Sequence, residues 1–280
     1  MKFRFLGTAA AEGMPAVFCR CEACEKARAL KGKNIRSRAQ AIVNGELLLD
    51  FSSDTYWHAV QNGLYLDEVK YIYFTHSHMD HCSCVDLQLR GKPFAHGMKE
   101  PVVTLYGNEA VKAQFDIVCE GEGMFPSARS GIVFQAIKAF ETVKSGDYEV
   151  TALPARHAPQ ENAYVYVISR RGKTVFYCLD TGWLLDETFA YLQEKKYRFD
   201  MIALDCTSVD NPSADTAGHM NLQQNARVVE KLRAFGCVDE RTKIFVTHFS
   251  HNGNPLHERV EALCEPYGFA VAYDGLEVEL

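Results

Sequence analysis

The sequence predicts an α/β fold in which two mixed sheets pack face to face with helices outside. One observation behind this is the order of elements: strand-like runs come first, and strands alternate with helices later. Another is that histidine and aspartate recur just past the ends of apolar strand runs, where functional groups of layered α/β folds gather. The chain also has no internal period, low-complexity tract or Pro/Ser-rich linker, so residues 1–280 read as one domain.

Lys2 to Leu6 reads as a strand, followed by a Gly/Ala loop through Pro15 and a short helix over Glu22 to Leu30. Asn44-Gly45, between the strands Ala41 to Val43 and Glu46 to Phe51, is a two-residue hairpin signal. Asp54 is placed to cap a helix running to Val60. Tyr71 to Phe74 reads as a buried strand, Val102 to Tyr106 as another, Asn108 to Val118 as a helix and Gly121 to Gly131 as loop. Strands follow at Ile132 to Ile137, Tyr148 to Leu153, Tyr164 to Ser169 and Thr174 to Leu179, the last two joined by Arg171-Gly172. The remainder reads helix (Asp186 to Lys195), strand (Met201 to Leu204), helix (Asn221 to Phe235), strand (Ile244 to Val246), helix (Pro255 to Tyr267) and short strands near Ala270 and Leu276.

The net charge of −6 and the absence of a basic stripe argue against a nucleic-acid polymer as partner. The N-terminus is too short in apolar length and too charged for a signal peptide. No stretch approaches the roughly 20 apolar residues of a membrane span. The expectation is therefore a cytoplasmic protein with no membrane partner. In such a protein the ten cysteines favour metal over disulfides, and three of them are clustered.

Immediately after the strand at Tyr71 comes His76-x-His78-x-Asp80-His81, four metal-capable side chains in six residues. A loop at a strand end can aim several of them at one centre, and imidazole with carboxylate suits zinc, manganese or iron. One loop cannot close two metal shells. His157, Asp180 and His248 each lie just past a strand end and are the candidate further ligands. Asp50 and Asp205 end apolar strands and are either partners for ligand histidines or strand-end caps. His58, His257, Cys82, Cys84 and Cys178 read as packing or surface residues; a helix starting at His81 would turn Cys82 and Cys84 to different faces.

These residues resemble the metallo-β-lactamase superfamily. The resemblance implies a four-layer αββα sandwich, one metal on His76, His78 and His157, a second on Asp80, His81 and His248, and Asp180 bridging both. Cys19-x-Cys21-x-x-Cys24 can wrap a structural zinc, with His251 of Thr247-His248-Phe249-Ser250-His251 as expected fourth ligand, in a zinc loop at about 15–32. Together with Gly7-Thr8-Ala9, Leu179-Asp180-Thr181 and Leu204-Asp205-Cys206, this cluster resembles the PhnP-like phosphodiesterases; PqqB-like chains share a similar cysteine cluster. Gly218-His219-Met220 is similar to a PhnP-like segment that supplies an active-site histidine. The chain is longer than those relatives within 91–148, where Lys92 to Met98, including His96, and Glu120 to Gly131 are expected to shape a pocket mouth.

The resemblance implies hydrolysis of small, cyclic phosphodiesters by water activated between two divalent ions, zinc or manganese, beside the structural zinc. Asp80 would orient that water. His219 would serve as general acid or charge stabiliser, and a homodimer would be usual for the family. Hydrolysis at a carbonyl centre, as in lactonases or thioesterases, uses the same ligand set, and a PqqB-like carrier without hydrolysis is a third reading. Transfer-RNA processing fits the acidic balance poorly, and 280 residues leave no room for the flavin domain of a di-iron oxidoreductase.

Overall fold

The computed structural model describes residues 1–121, 123–212 and 218–280 of the chain. In chain order its elements are β1 (Lys2–Gly7), α1 (Glu22–Leu30), β2 (Gln40–Val43), β3 (Leu47–Leu49), α2 (Thr55–Asn62), β4 (Tyr71–Tyr73), β5 (Val103–Gly107), α3 (Glu109–Gly121), α4 (Pro126–Arg129) and β6 (Ile132–Ala136). There follow β7 (Thr142–Ser145), β8 (Tyr148–Pro154), β9 (Tyr164–Arg170), β10 (Lys173–Cys178), α5 (Asp186–Lys195), β11 (Met201–Asp205), α6 (Leu222–Ala234), β12 (Lys243–Thr247), α7 (His257–Cys264), β13 (Ala270–Val271) and β14 (Glu277–Glu279).

The strands form two seven-stranded mixed sheets, ordered β14-β1-β2-β3-β4-β5-β6 and β13-β12-β11-β10-β9-β8-β7. Strand alternation builds the layers. In β9 and β10, Tyr166, Ile168, Val175 and Tyr177 point between the sheets, where they meet Phe3, Phe5, Leu49 and Tyr73. Their neighbours Val165, Val167, Phe176 and Cys178 point outward, into a core shared with Phe189, Val228 and Val260 of α5, α6 and α7. Strands buried on both faces read as continuous apolar runs, which is why β9 to β11 are so plain in the sequence. A third core on the outer face of the first sheet joins Leu48, Ile72 and Leu105 to Val111 and Phe115 of α3. The result is the αββα sandwich, helices on both outer faces.

Parallel pairing sets where the chemistry can go. β3 and β4 run parallel, as do β10, β11 and β12. Their C-terminal ends therefore lie together along a rim of each sheet. The two rims are tied to each other: Tyr164 N donates to Thr75 O at 2.8 Å, and Tyr166 Oη donates to Phe74 O at 2.5 Å. Gly7 ends β1 at a register shift, and a Cβ there would stand 1.9 Å from Arg38 O, so only glycine lets these backbones approach.

Several sequence expectations change. Asn44 and Gly45 do make the hairpin, both with positive φ (52° and 78°). Asp54 precedes α2 but does not cap it; its carboxylate accepts instead from Arg38 N and Arg38 Nη1, both at 2.9 Å. The edge strand β7 has no apolar run to announce it. Within Gly121 to Gly131, expected as loop, Pro126–Arg129 is a short helix; residue 122 lies outside the described residues. The Sγ atoms of Cys82 and Cys84 are 3.6 Å apart rather than on different faces, because a helical turn begins only at Cys84; both sulfurs are core. Segments 91–98 and 124–131 pack on one another, Ser127 Oγ donating to Lys92 O and the Phe94 and Phe125 rings lying 5.6 Å apart. Ala95 and Met98 wall an apolar cavity of about 220 Å³ above Leu48 and Ile72, and His96 is exposed. Among the described residues, no helix is long and apolar enough to cross a membrane.

Candidate metal centre

Each candidate ligand sits where a strand gives out at the common rim. β4 delivers His76, His78, Asp80 and His81; the turn after β8 delivers His157; β10, β11 and β12 deliver Asp180, Asp205 and His248. Three of the residues at these ends hold left-handed backbone: Asp50 (φ 64°), Asp180 (φ 49°) and His248 (φ 62°). Non-glycine residues take that conformation at a cost, and such strain gathers at functional sites. Here it turns the chain sharply at the strand end.

The donor atoms gather in adjoining groups, of which one, Asp180, Asp205, His219 and His248, overlaps the second of the two described next. His76, His78 and His157 offer atoms that all lie within 4.8 Å of one another, as do Asp80, His81, Asp180 and His248. His157 Nε2 is 3.2 Å from His78 Nδ1, and His248 Nε2 is 3.1 Å from Asp180 Oδ2. Donors about 2.0–2.1 Å from a shared tetrahedral ion stand about 3.3 Å apart, so both separations fit. Asp180 reaches both groups: Oδ2 is 2.5 Å from His81 Nε2, and Oδ1 is 3.8 Å from His157 Nε2.

A second ring of hydrogen bonds fixes which imidazole nitrogen faces inward. His81 Nδ1 donates to Asp50 Oδ2 at 2.8 Å, His76 Nδ1 to Thr75 Oγ1 at 3.0 Å, His248 Nδ1 to Thr207 Oγ1 at 2.8 Å, and His157 Nδ1 to Gly218 O at 3.1 Å. Thr75 and Thr207 pass the bond on to Asp50 and Asp205. The inward atoms are left without partners: His76 Nε2, His81 Nε2, His248 Nε2 and Asp180 Oδ2 are buried and make no hydrogen bond. Orphaned buried polar atoms are costly. Converging lone pairs on nitrogen and oxygen fit divalent cations.

The charge balance fits as well. Burial keeps His76 well below, and His157 below, the usual histidine range, so both are neutral donors. Burial also resists charge on His81 and His248, but the carboxylates outweigh it. Asp180, Asp50 and Asp80 hold His81 well above its usual range, and Asp180 and Asp205 raise His248 to about 10. Burial opposes ionisation of Asp80 and Asp180 too, yet the neighbouring His81 and His248 hold both carboxylates below their usual range.

His219 stands at the edge of the centre, its side chain 31% exposed, with Nδ1 donating to Asp205 Oδ2 at 3.0 Å and 3.5 Å from Asp180 Oδ1. Burial disfavours its charge, but Asp205 and Asp180 together hold it above the usual range. Gly218 before it packs so closely on His157 that a Cβ would approach Nδ1 to 3.1 Å.

The cysteine cluster forms a separate group of Cys19, Cys21, Cys24 and His251. Cys21 Sγ and Cys24 Sγ lie 3.6 and 3.7 Å from His251 Nδ1. The bond to His251 holds the Cys21 thiol down to about 6, while burial pushes Cys24 up to about 11. Glu12 accepts from Ser250 Oγ and from His251 N, fastening this loop to the segment after β12.

A family model described as the β-lactamase superfamily domain matches residues 48–275, which span the whole centre from Asp50 to His248. The chain belongs to that superfamily. Solved structures similar in fold include a diphosphatase from the PhnP family (TM-score 0.75, 21% identity, covering 100% of this chain and 97% of that one). Zinc-bound PqqB from Methylobacterium extorquens is similar at a TM-score of 0.73 and 21% identity, over 100% of both chains. Human tRNase Z, short form, is similar at 0.67 and 15%, over 100% of this chain and 99% of that one. No curated protein matches the sequence. The αββα sandwich is the metallo-β-lactamase fold, and the superfamily chain carries its ligand-type residues at that fold's rim.

The sequence brought forward Asp50 and Asp205 only as even candidates, and in the structure Asp50 bonds His81 Nδ1 and Thr75 while Asp205 bonds His219 Nδ1 and Thr207. It gave no sign of Thr75 or Thr207. The one available signal was position, Thr75 beside His76 and Thr207 two residues past Asp205.

Proposed function

We propose that this metal-dependent hydrolase cleaves small phosphodiesters, cyclic ones among them. His76, His78 and His157 would hold one divalent cation, Asp80, His81 and His248 the other, and Asp180 would bridge them; Cys19, Cys21, Cys24 and His251 would hold a structural zinc. Cations so held lower the pKa of a water toward 7 and offset charge on phosphoryl oxygens.

The chain's own residues supply the rest. Asp80, ionised and 3.2 Å from His81 Nε2 through Oδ2, can accept a hydrogen bond from the attacking water and orient it. The outer ring of Asp50, Thr75, Asp205 and Thr207 keeps the imidazoles from rotating. His219 stands beside the centre, its Nδ1 held by Asp205 at 3.0 Å and lying 3.5 Å from Asp180 Oδ1. A protonated imidazole there can deliver a proton to a departing alkoxide.

The observation that carries the choice of phosphorus is His219. Esters, lactones and thioesters are uncharged at the reacting group, whereas a phosphodiester brings a negative charge that a cationic imidazole beside the reacting oxygens offsets. The PhnP-family diphosphatase and tRNase Z, both similar in fold, support the reading by the activities in their names. The test is turnover by metal-reconstituted protein on a panel of bis-aryl phosphate, 2′,3′-cyclic nucleotides, ribosyl 1,2-cyclic phosphate, lactones and thioesters. Activity on the phosphodiesters is expected. Turnover of lactone or thioester alone, or of nothing, refutes the proposal.

A further inference from the structure

The three imidazoles of the first cation group come from different sheets. His76 and His78 follow β4 in one sheet, and His157 follows β8 in the other. Their donor atoms must nonetheless be held within a few tenths of an ångström of a common geometry. In the second group Asp50 backs His81 directly, and Asp205 backs His248 through the Thr207 hydroxyl. In the first group, the Nδ1 partners are a hydroxyl and a carbonyl: Thr75 Oγ1 for His76 and Gly218 O for His157. Neither of those ties the two loops to one another.

Glu161 does. It lies four residues past His157 on the same loop, and its carboxylate grips Ser77, the residue between His76 and His78. Ser77 Oγ donates to Oε1 at 2.6 Å, and Ser77 N donates to Oε2 at 3.0 Å and to Oε1 at 3.2 Å. Oε2 also accepts from Asn108 Nδ2 at 2.7 Å. Asn108 cannot turn away: its Nδ2 also donates to Asn162 O at 2.7 Å, and its Oδ1 accepts from Val111 N at 2.9 Å at the start of α3. Three elements of the first sheet's side, the His76 loop, β5's end and α3, are thus fastened to the loop that carries His157.

All these donors are neutral groups, and no cation pairs with Glu161 among the described residues. Glu161 thus places a carboxylate behind a group made of three imidazoles. We propose that Glu161 is the positioning residue of the first cation site, fixing His157 against His76 and His78. This rests on the two-cation reading of the centre but not on the substrate.

The experiment is an equilibrium titration of metal-stripped full-length protein with cobalt(II), followed by its visible absorption. The two sites are assigned with His157→Ala, which removes the first, and His248→Ala, which removes the second. Glu161→Gln keeps the shape but puts an amide donor in place of one carboxylate oxygen, so that whichever way the amide turns at least one bond from Ser77 N or Asn108 Nδ2 is lost. The expected result is a loss of about 10–100-fold in affinity at the first site, the usual cost of an outer-shell change, with the second site shifted by less than about 3-fold. Ser77→Ala, which removes only the hydroxyl donor, gives a smaller loss at the same site, and Ser77→Thr restores it. Far-UV circular dichroism and the thermal midpoint of the metal-free variants stay at the wild-type values. Wild-type affinity at both sites in Glu161→Gln overturns the proposal. So does equal weakening of both sites, or loss of fold in the Glu161 and Ser77 variants alike, since either makes Glu161 merely structural. Wild-type protein that takes up no second cation overturns the two-cation reading, and this proposal with it.

Discussion

His81 Nε2 stands 2.5 Å from Asp180 Oδ2, and neither buried atom has a hydrogen-bond partner. His81 also donates through Nδ1 to Asp50. The same oxygen faces His248 Nε2 at 3.1 Å. Once the two imidazoles give up their protons, three atoms with lone pairs surround one point. Asp180→Asn keeps the shape, removes the charge and offers at best one of two bridging oxygens. It is expected to lose at least one cation per chain after dialysis and to lower turnover by more than the roughly 100-fold that an outer-shell change costs at most. Metal content by plasma mass spectrometry checks the first and steady-state kinetics the second. A full metal complement in this variant removes Asp180 from the bridge.

The proton balance of His81 and His248 predicts how the protein responds to pH. Burial opposes their charge, but the surrounding carboxylates raise both, His248 to about 10 against an ordinary 6.5. Between those two values the metal-free folded state binds more protons than the unfolded chain, so stability falls as pH rises. The contribution is complete below about pH 6.5 and lost as pH passes about 10. A cation requires both imidazoles neutral and so displaces their protons. The thermal midpoint of metal-stripped protein should therefore fall from pH 7 to pH 10, and that of loaded protein should hold much flatter. Calorimetric loading at pH 7 in buffers of different ionisation enthalpy should register proton release. Loading with no release would mean the two histidines are already neutral.

That balance is also where sequence reading reaches its limit. His76 to His81 is legible because four donors in six residues have few other uses, and His157, Asp180 and His248 are legible because each ends an apolar run. The sandwich is legible for a related reason: β9, β10 and β11 are buried on both faces, so tertiary structure and local pattern agree. Asp54 misleads because its position fits a cap, while Arg38, sixteen residues earlier, takes its carboxylate. Strand β7 escapes because an edge strand such as Thr142–Ser145 needs no apolar run. Glu161 escapes for a deeper reason. Its role depends on Ser77, 84 residues away in the other sheet, and nothing local marks either residue.

The cysteine cluster makes a separate prediction about stability. Cys21, held down to about 6 by His251, is a thiolate at neutral pH, and a cation in the cluster would also draw off the proton that burial retains on Cys24. The loop is fastened to the main body through Glu12, Ser250 and His251, and Phe249 between them exchanges backbone bonds with Thr8 and Ala10. Cys21→Ser should lose one zinc per chain and about 2 kcal/mol or more, which lowers the thermal midpoint by roughly 4 °C or more. Cation affinity at His248, three residues before His251, should weaken as well. Unchanged zinc content in Cys21→Ser would show that the four residues do not form one site.

His219 gives the prediction that separates acid catalysis from binding. Asp205 holds its Nδ1, and Asp205 and Asp180 outweigh burial in keeping it charged, so its free edge carries a proton to give. A general acid matters in proportion to the basicity of the leaving group. His219→Gln removes the proton but keeps a hydrogen-bonding side chain of similar reach. With an alkyl or ribosyl leaving group, kcat should fall about 10²–10⁴-fold. With 4-nitrophenolate, which departs without help, the fall should be less than about 10-fold. The wild-type rate on the alkyl substrate should also decline at alkaline pH as His219 loses its proton, and the variant should lack that limb. Equal losses on both leaving groups, with the alkaline limb intact, would instead make His219 a stabiliser of charge on the phosphoryl oxygens.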